Sequence, residues 1–123
     1  MSDKILLVED EPELRAALRV RLTAAGFECE AASNGKEALL VLARWQPDLV
    51  VADLLMPEMD GYALCRSIRS NALWVNMPIL VLSAVPRHAI GQQQKLEADC
   101  VMHKPFDSAE LLKTIKGLLS EAR

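Results

Sequence analysis

Aromatic residues and clusters of basic residues are scarce in this sequence. Phenylalanine, tryptophan and tyrosine make up 4% of its 123 residues, so a core must be built from aliphatic side chains, alanine and methionine. The 14 lysine and arginine residues are dispersed among 17 acidic residues, and the net charge is −3. Because nucleic-acid binding requires concentrated positive charge, we expect no direct nucleic-acid contact by this domain.

Long apolar runs are also absent. The first run, ILLV at residues 5–8, has four residues and is followed by acids, whereas a membrane-spanning helix needs roughly 18 or more. The N-terminus also lacks the pattern of a signal peptide. We therefore expect a cytoplasmic protein without membrane association.

Paired cysteine motifs are missing as well. Cys29, Cys65 and Cys100 are odd in number and widely spaced, which favours small buried side chains in a reducing compartment over a metal or redox site. The proportions of hydrophobic and charged residues, 51% and 25%, are those of a globular chain. The length suits one domain with one core, which we assign to residues 1–123.

Short apolar runs alternate with longer amphipathic segments along the chain. The runs predict strands at residues 5–8, 27–32, 49–52, 79–82 and 99–103. The segments predict helices at residues 12–25, 35 to about 46, 61–69, about 87–96, and from 108 onward. Asp10 is a candidate N-cap of the first helix, and Asp107 or Ser108 of the last. The fourth helix is the weakest prediction, because it is polar and contains Gly91.

This alternation predicts an α/β fold. Nearly continuous apolar strands separated by helices indicate a parallel sheet that is covered on both faces. Right-handed crossovers then give a doubly wound sheet of five strands with five helices. Ligands of such sheets bind beyond the carboxyl ends of the strands, so we expect the functional site at that edge.

Polar residues occupy these strand ends. Glu9 and Asp10 follow the first strand, Asp53 the third, Ser83 the fourth and Lys104 the fifth. Neighbouring carboxylates repel one another, and oxygen ligands without histidine or cysteine favour Mg²⁺ over Zn²⁺ as the compensating cation. A carboxylate beside Mg²⁺ can attack a phosphoryl group, while an amine and a hydroxyl stabilise its oxygens. Each residue alone also suits an ordinary cap, loop or surface position, but the whole set rarely coincides by chance.

Four motifs carry a resemblance to a known family. Over essentially its whole length, the chain resembles receiver domains of two-component response regulators. The resemblance is carried by the final helix and by the stretches ILLVEDEPELR, VVADLLMPEMDG, ILVLSA and HKPF. The resemblance implies a flavodoxin-like sheet with strand order 2-1-3-4-5. It implies Asp53 as phosphoacceptor, Ser83 as switch hydroxyl and Lys104 as phosphate-binding residue before a cis proline bond. The Mg²⁺ ligands that it implies are Glu9 (through water), Asp10, Asp53 and the backbone carbonyl of Leu55.

The resemblance also implies partners. Receiver domains take a phosphoryl group from a sensor histidine kinase or a histidine phosphotransfer protein, and the acyl phosphate shifts a conformational equilibrium. The face formed by the fourth helix, fifth strand and fifth helix would then bind a downstream protein or a fused output domain, or form a homodimer. Beyond its own phosphorylation and dephosphorylation, we expect no enzymatic activity. The sequence leaves open whether the chain stands alone or belongs to a larger regulator.

Three positions depart from the family pattern or modify it. Val101 stands where the family usually has an aromatic residue that turns inward on activation, so we expect the output surface to respond weakly or by another route. Leu55 and Val85 lie two residues after the phosphoacceptor and the switch hydroxyl, where side chains influence the access of hydrolytic water. Both are apolar, which predicts a long-lived phosphorylated state.

Other functions fit the residues less well. A Mg²⁺-dependent phosphohydrolase of the haloacid dehalogenase type needs a second acid two residues after its nucleophile, where this chain has Leu55. A nucleotide-binding Rossmann domain needs a glycine-rich loop after the first strand, where this chain has acids. A receiver that is never phosphorylated remains a third alternative, which the complete set of site residues disfavours.

Overall fold

The computed structural model describes residues 2–92 and 94–122. The strands are β1 (Lys4–Val8), β2 (Glu28–Ala32), β3 (Leu49–Asp53), β4 (Ile79–Ser83) and β5 (Cys100–His103). The α-helices are α1 (Pro12–Ala24), α2 (Gly35–Leu42), α3 (Gly61–Ser70) and α4 (Ser108–Glu121), and Arg87–Ala89 form a short 3₁₀ helix. Within the described residues, no helix is long and apolar enough to cross a membrane.

The five strands form one parallel sheet in the order β2-β1-β3-β4-β5. The predicted fold class and the strand order implied by the resemblance are therefore confirmed. All residues of β3 and β4 are buried, because these strands have a neighbouring strand on each side and helices on both faces. This double burial explains why their sequences are almost continuously apolar.

Each face of the sheet has its own hydrophobic layer. Leu6 and Val8 of β1 pack in the layer formed with α2 and α3. Ile5 and Leu7 pack in the opposite layer, formed with α1 and α4. Successive side chains of a strand point to opposite faces, so one short apolar run supplies both layers.

The predicted fourth helix is wrong. Only Arg87–Ala89 are helical, as a 3₁₀ turn, and residues 90–92 and 94–98 lie outside helices and strands. Gly91 adopts a φ of 79°, a left-handed conformation that a helix cannot continue through. Its N–H donates to the Tyr62 hydroxyl at 3.1 Å instead of to a helical carbonyl. Residues 2–92 and 94–122 therefore contain four α-helices, one fewer than predicted.

Several helix ends differ from prediction. The N-cap of α1 is Glu11 and not Asp10, and it makes no capping bond through its side chain. Asp107 caps α4, since its carboxylate accepts the Ala109 N–H at 2.7 Å. The second helix ends at Leu42, before the predicted limit near residue 46. The three cysteines are free, but only Cys65 is buried as predicted, whereas Cys29 and Cys100 are half-buried; burial raises the pKa of the Cys65 thiol to about 11.

Candidate functional site

The carboxyl ends of β1, β3, β4 and β5 bring the predicted site residues to one edge of the sheet. Glu9 directly follows β1, Asp53 ends β3, Ser83 ends β4 and Lys104 directly follows β5. Backbone bonds continue the ladder past the strands, with Lys104 N donating to Ser83 O at 2.8 Å. Asp53 and Ser83, the two predicted residues at the ends of the inner strands β3 and β4, are 8% and 0% exposed.

Three acids form a cluster at this edge. One carboxylate oxygen from each of Glu9, Asp10 and Asp53 lies within 4.8 Å of the others. Glu9 is 1% exposed, and its Oε1 has an ion pair with Lys104 at 3.5 Å but no hydrogen-bond partner in the described part of the chain. A buried carboxylate oxygen without a donor is unfavourable, and an oxygen-ligated divalent cation would satisfy it. The donor set therefore fits Mg²⁺.

Burial has a marked electrostatic effect on Glu9. Removal from water raises the pKa of its carboxyl group to about 7, and the negative charge of Asp53 adds to the rise. The Glu11 N–H, which donates to Glu9 Oε2 at 3.1 Å, and the charge of Lys104 oppose it. The surroundings of Glu9 thus disfavour its ionised form near neutral pH.

Lys104 supplies the positive charge of the site. Its Nζ lies 3.0 Å from Asp53 Oδ2 and 3.5 Å from Glu9 Oε1. Partial burial lowers the pKa of Lys104, but the hydrogen bond and charge of Asp53, together with Glu9, outweigh this and raise it overall. The Lys104–Pro105 bond is cis, as the resemblance implied.

Ser83 lies on the strand next to Asp53, and its hydroxyl is bonded within its own loop. Ser83 Oγ accepts the Val85 N–H at 2.9 Å and lies 3.4 Å from the Val85 carbonyl oxygen, to which it donates. Its acceptor bond is short and its donor bond is long. The hydroxyl hydrogen can therefore be redirected at little cost.

The loop between β3 and α3 carries Leu55, whose side chain is 58% exposed at the rim of the site. The loop turns tightly, with Glu58 at a φ of 65° and Met59 N donating to Pro57 O at 2.8 Å. Gly61 then packs against the end of β3: a Cβ atom there would lie 2.9 Å from Asp53 O. The predicted role of the Leu55 carbonyl stays a prediction.

Sequence reasoning did not identify two residues that position the site. Arg15 reaches back from α1, and its Nη1 donates to the backbone carbonyl of Glu9 at 2.9 Å. Gly35 at the start of α2 donates its N–H to Met59 O at 3.1 Å, and a Cβ at Gly35 would clash with Met59. The only available signal was an arginine shortly after the acids and a glycine after a turn.

Val101 lies on β5 beside an open cavity of about 570 Å³. The cavity is bounded by the irregular segment after the 3₁₀ turn, including Ile90 and Leu96, which are partly buried against the core with Val101. Val101 thus places a small side chain at the position where the family usually has an aromatic ring. The mode of switching remains a prediction.

Comparisons with known proteins agree with this geometry. The family model of the response regulator receiver domain matches residues 5–116. A "Probable transcriptional regulator ycf27" of Pyropia yezoensis is 41% identical over 122 residues, which cover 98% of this chain and 49% of that protein. The chain spans about half the length of the curated relatives that it matches.

Solved structures show the same architecture. The signal receiver domain of a signal transduction histidine kinase from Syntrophus aciditrophicus superposes with a TM-score of 0.91 at 35% identity, covering 98% of this chain and 92% of that one. The response regulator TrrA from Thermotoga maritima, solved in complex with Mg²⁺-BeF, has a TM-score of 0.84 at 33% identity, covering 94% and 98%. By sequence match and by fold, the chain belongs to the response regulator receiver domains of two-component systems.

Proposed function

We propose that this domain accepts a phosphoryl group on Asp53 in a Mg²⁺-dependent reaction and thereby switches protein–protein contacts. The observation that carries the proposal is the pairing of a three-carboxylate cluster with Lys104, 3.0 Å from Asp53 Oδ2, at the carboxyl edge of the sheet. Such an arrangement provides a nucleophile, a cation site and a counter-charge within one small region.

The cation site is formed by the acids and one backbone group. Asp10, Asp53 and the Leu55 carbonyl would ligate Mg²⁺ directly, and Glu9 would act through a metal-bound water. When bound, Mg²⁺ supplies positive charge that neutralises oxygens of the phosphoryl group. The Oε1 of Glu9, which accepts no hydrogen bond in the described part of the chain, supports this assignment, because a water held in the metal's coordination shell would donate a hydrogen bond to it.

The remaining chemistry belongs to the side chains of this chain. A carboxylate oxygen of Asp53 attacks the phosphorus, the bond from phosphorus to the donor breaks, and an aspartyl phosphate forms. The Lys104 ammonium group, which pairs with Asp53 Oδ2 before the reaction, then pairs with a phosphoryl oxygen. The Ser83 hydroxyl keeps the Val85 N–H and redirects its hydrogen towards another phosphoryl oxygen.

The family supports the partners that we propose. The donor is a sensor histidine kinase or a histidine phosphotransfer protein, and the recipient of the signal is a downstream protein or a fused output domain. The output surface comprises β5, α4 and the segment that stands in place of the predicted fourth helix, and a homodimer through this face is consistent with it. An external phosphohydrolase activity gains no support, because the exposed apolar Leu55 occupies the position of the required acid.

The test is phosphorylation by a small donor. The protein is incubated with acetyl phosphate and Mg²⁺, and intact mass is measured before and after treatment with base. We expect a base-labile phosphoryl adduct that Asp53→Asn abolishes. Asp107→Asn is the matched control, since asparagine caps a helix as well as aspartate does. No adduct at any Mg²⁺ concentration would contradict the proposal and favour a receiver that is never phosphorylated.

A further inference from the structure

Arg15 contacts the loop that carries two of the acids. It lies in the first turn of α1, and its Nη1 is 2.9 Å from Glu9 O and 3.5 Å from Asp10 O. The helix begins without a side-chain capping bond. In place of a side-chain cap, the Arg15 guanidinium connects the loop to the helix through these contacts.

The orientation of the Glu9 carbonyl group depends on its hydrogen bond from Arg15. The Glu9 N–H is held by Ala32 O at 3.0 Å, and its side-chain Oε2 accepts the Glu11 N–H. Among the described contacts, Arg15 is what holds the Glu9 carbonyl oxygen. The orientation of the peptide unit between Glu9 and Asp10 sets the direction in which the Asp10 side chain projects from the backbone. Arg15 therefore orients the Asp10 carboxylate indirectly.

The charge of Arg15 acts in the opposite direction to its hydrogen bonds. The described part of the chain contains ion pairs from Lys104 to Glu9 and Asp53 but none from Arg15 to these acids. The guanidinium therefore does not compete with a cation for the carboxylate oxygens, while its positive charge repels a cation bound nearby. Removing the charge alone would tighten cation binding, whereas removing the hydrogen bonds would weaken it.

We propose that Arg15 is a positioning residue of the Mg²⁺ site, which holds the Glu9–Asp10 peptide so that both acids face Asp53. The inference rests on the proposed function and extends it to a residue that touches neither metal nor phosphoryl group. Residues that orient metal ligands from outside the coordination sphere typically change metal affinity by about 10-fold or more when removed.

The experiment measures Mg²⁺ binding to metal-free protein by titration calorimetry. We expect Arg15→Met to weaken binding about 10-fold, and Arg15→Lys, which keeps the charge and one donor, to weaken it by roughly threefold. Arg19→Met is the matched control. Arg19 lies one turn further along α1 and pairs with Glu30 at 4.0 Å, so its removal changes the net charge equally without touching the loop.

A second readout separates positioning from loss of structure. At saturating Mg²⁺, we expect Arg15→Met to be phosphorylated by acetyl phosphate at the wild-type rate, with only the half-maximal Mg²⁺ concentration raised. Unchanged or tighter Mg²⁺ binding by Arg15→Met would overturn the proposal, as would a rate defect that excess Mg²⁺ does not restore. If circular dichroism shows Arg15→Met unfolded, wild-type affinity in Arg15→Lys overturns it.

These outcomes are distinct from a failure of the proposed function. If the wild-type protein neither binds Mg²⁺ nor forms an adduct, both proposals fall together. If the wild type does both and Arg15→Met binds Mg²⁺ equally well, only the role of Arg15 is rejected.

Discussion

The carboxyl group of Glu9 is buried beside Asp53, and one of its oxygens has no hydrogen bond in the described structure. Its pKa is raised from 4.5 to about 7, mainly by burial. The folded state therefore binds the Glu9 proton more tightly than the unfolded state does. In the absence of metal, this residue lowers the stability of the domain as pH rises from about 4.5 towards 7, and the penalty persists above that range.

Glu9→Gln should remove this penalty. In EDTA, we expect the substitution to raise the free energy of unfolding at about pH 8 by on the order of 1–2 kcal/mol more than at about pH 5. Urea unfolding at both pH values measures the difference, and packing effects of the substitution cancel between them. Glu28→Gln, at an exposed position, is the control. An equal effect of Glu9→Gln at both pH values would contradict the assigned pKa.

Leu55, two residues after the proposed phosphoacceptor Asp53, is apolar and 58% exposed. It has no group that could hold a water molecule in line with the phosphorus. We therefore expect Leu55→Asn to shorten the lifetime of the aspartyl phosphate severalfold, because an amide can orient the attacking water.

Decay of the adduct after removal of acetyl phosphate measures this lifetime. Leu55→Met is the control, since it keeps an apolar side chain of similar volume. If Leu55→Asn decays no faster than wild type, side-chain polarity at this position does not govern hydrolysis.

At the scale of elements, the start of α3 lies directly against the end of β3. A Cβ on Gly61 would lie 2.9 Å from both Asp53 O and Leu54 Cα, which are backbone atoms that cannot rotate away. At Gly117 in α4, a Cβ would meet nothing within 4 Å. The same substitution should therefore have opposite effects in the two helices.

We expect Gly61→Ala to lower the free energy of unfolding by about 1–3 kcal/mol through overpacking. Gly117→Ala should raise it by roughly 0.5–1 kcal/mol, because alanine favours the helix interior. Chemical denaturation of both variants provides the measurement. A Gly61→Ala variant as stable as wild type would show that α3 can move away from Asp53 without cost.

A single face of α3 holds the segment that replaces the predicted fourth helix. Tyr62 accepts the Gly91 N–H at 3.1 Å, Arg66 donates to Gln94 Oε1, and Arg69 donates to Glu97 O at 3.1 Å. These three side chains are spaced four and three residues apart, which places them along one side of the helix. The segment is thus attached by polar side-chain contacts rather than by a helical backbone.

At the scale of the whole molecule, two hydrophobic layers cover the sheet, while the described residues of the segment 84–98, which are 84–92 and 94–98, make few backbone hydrogen bonds of their own. Regions of this kind open most easily. With Val101 in place of an aromatic residue, we expect the response to phosphorylation to concentrate in this segment.

Hydrogen exchange with and without Mg²⁺ and beryllofluoride measures that response. Protection should change chiefly within residues 84–98, and little in α1 and α2. Asp53→Asn, which removes the proposed phosphoacceptor, is the control and should show no change. Equal changes across all helices would reject the localisation.

The sequence was sufficient to predict most of the fold and to place the polar strand-end residues at one edge of the sheet. Parallel strands buried on both faces leave a continuous apolar pattern, and acids directly after such strands can be assigned to one edge. Gly91 and the glutamines around it, by contrast, carry no strong local preference. The helix predicted there was wrong because contacts with Tyr62, Arg66 and Arg69, which are distant in sequence, determine its path.

The sequence by itself determined the alternation of strands and helices, the polar residues at the strand ends, and the family. Each of these follows from local patterns of residue type. Only the tertiary structure revealed that Glu9 Oε1 has an ion pair with Lys104 but no hydrogen-bond partner among the described residues, that Lys104 also pairs with Asp53, and that Arg15 holds the Glu9 carbonyl. Each of these facts depends on distances between chain segments, and the free energy of a buried charge is set by such distances rather than by sequence neighbours.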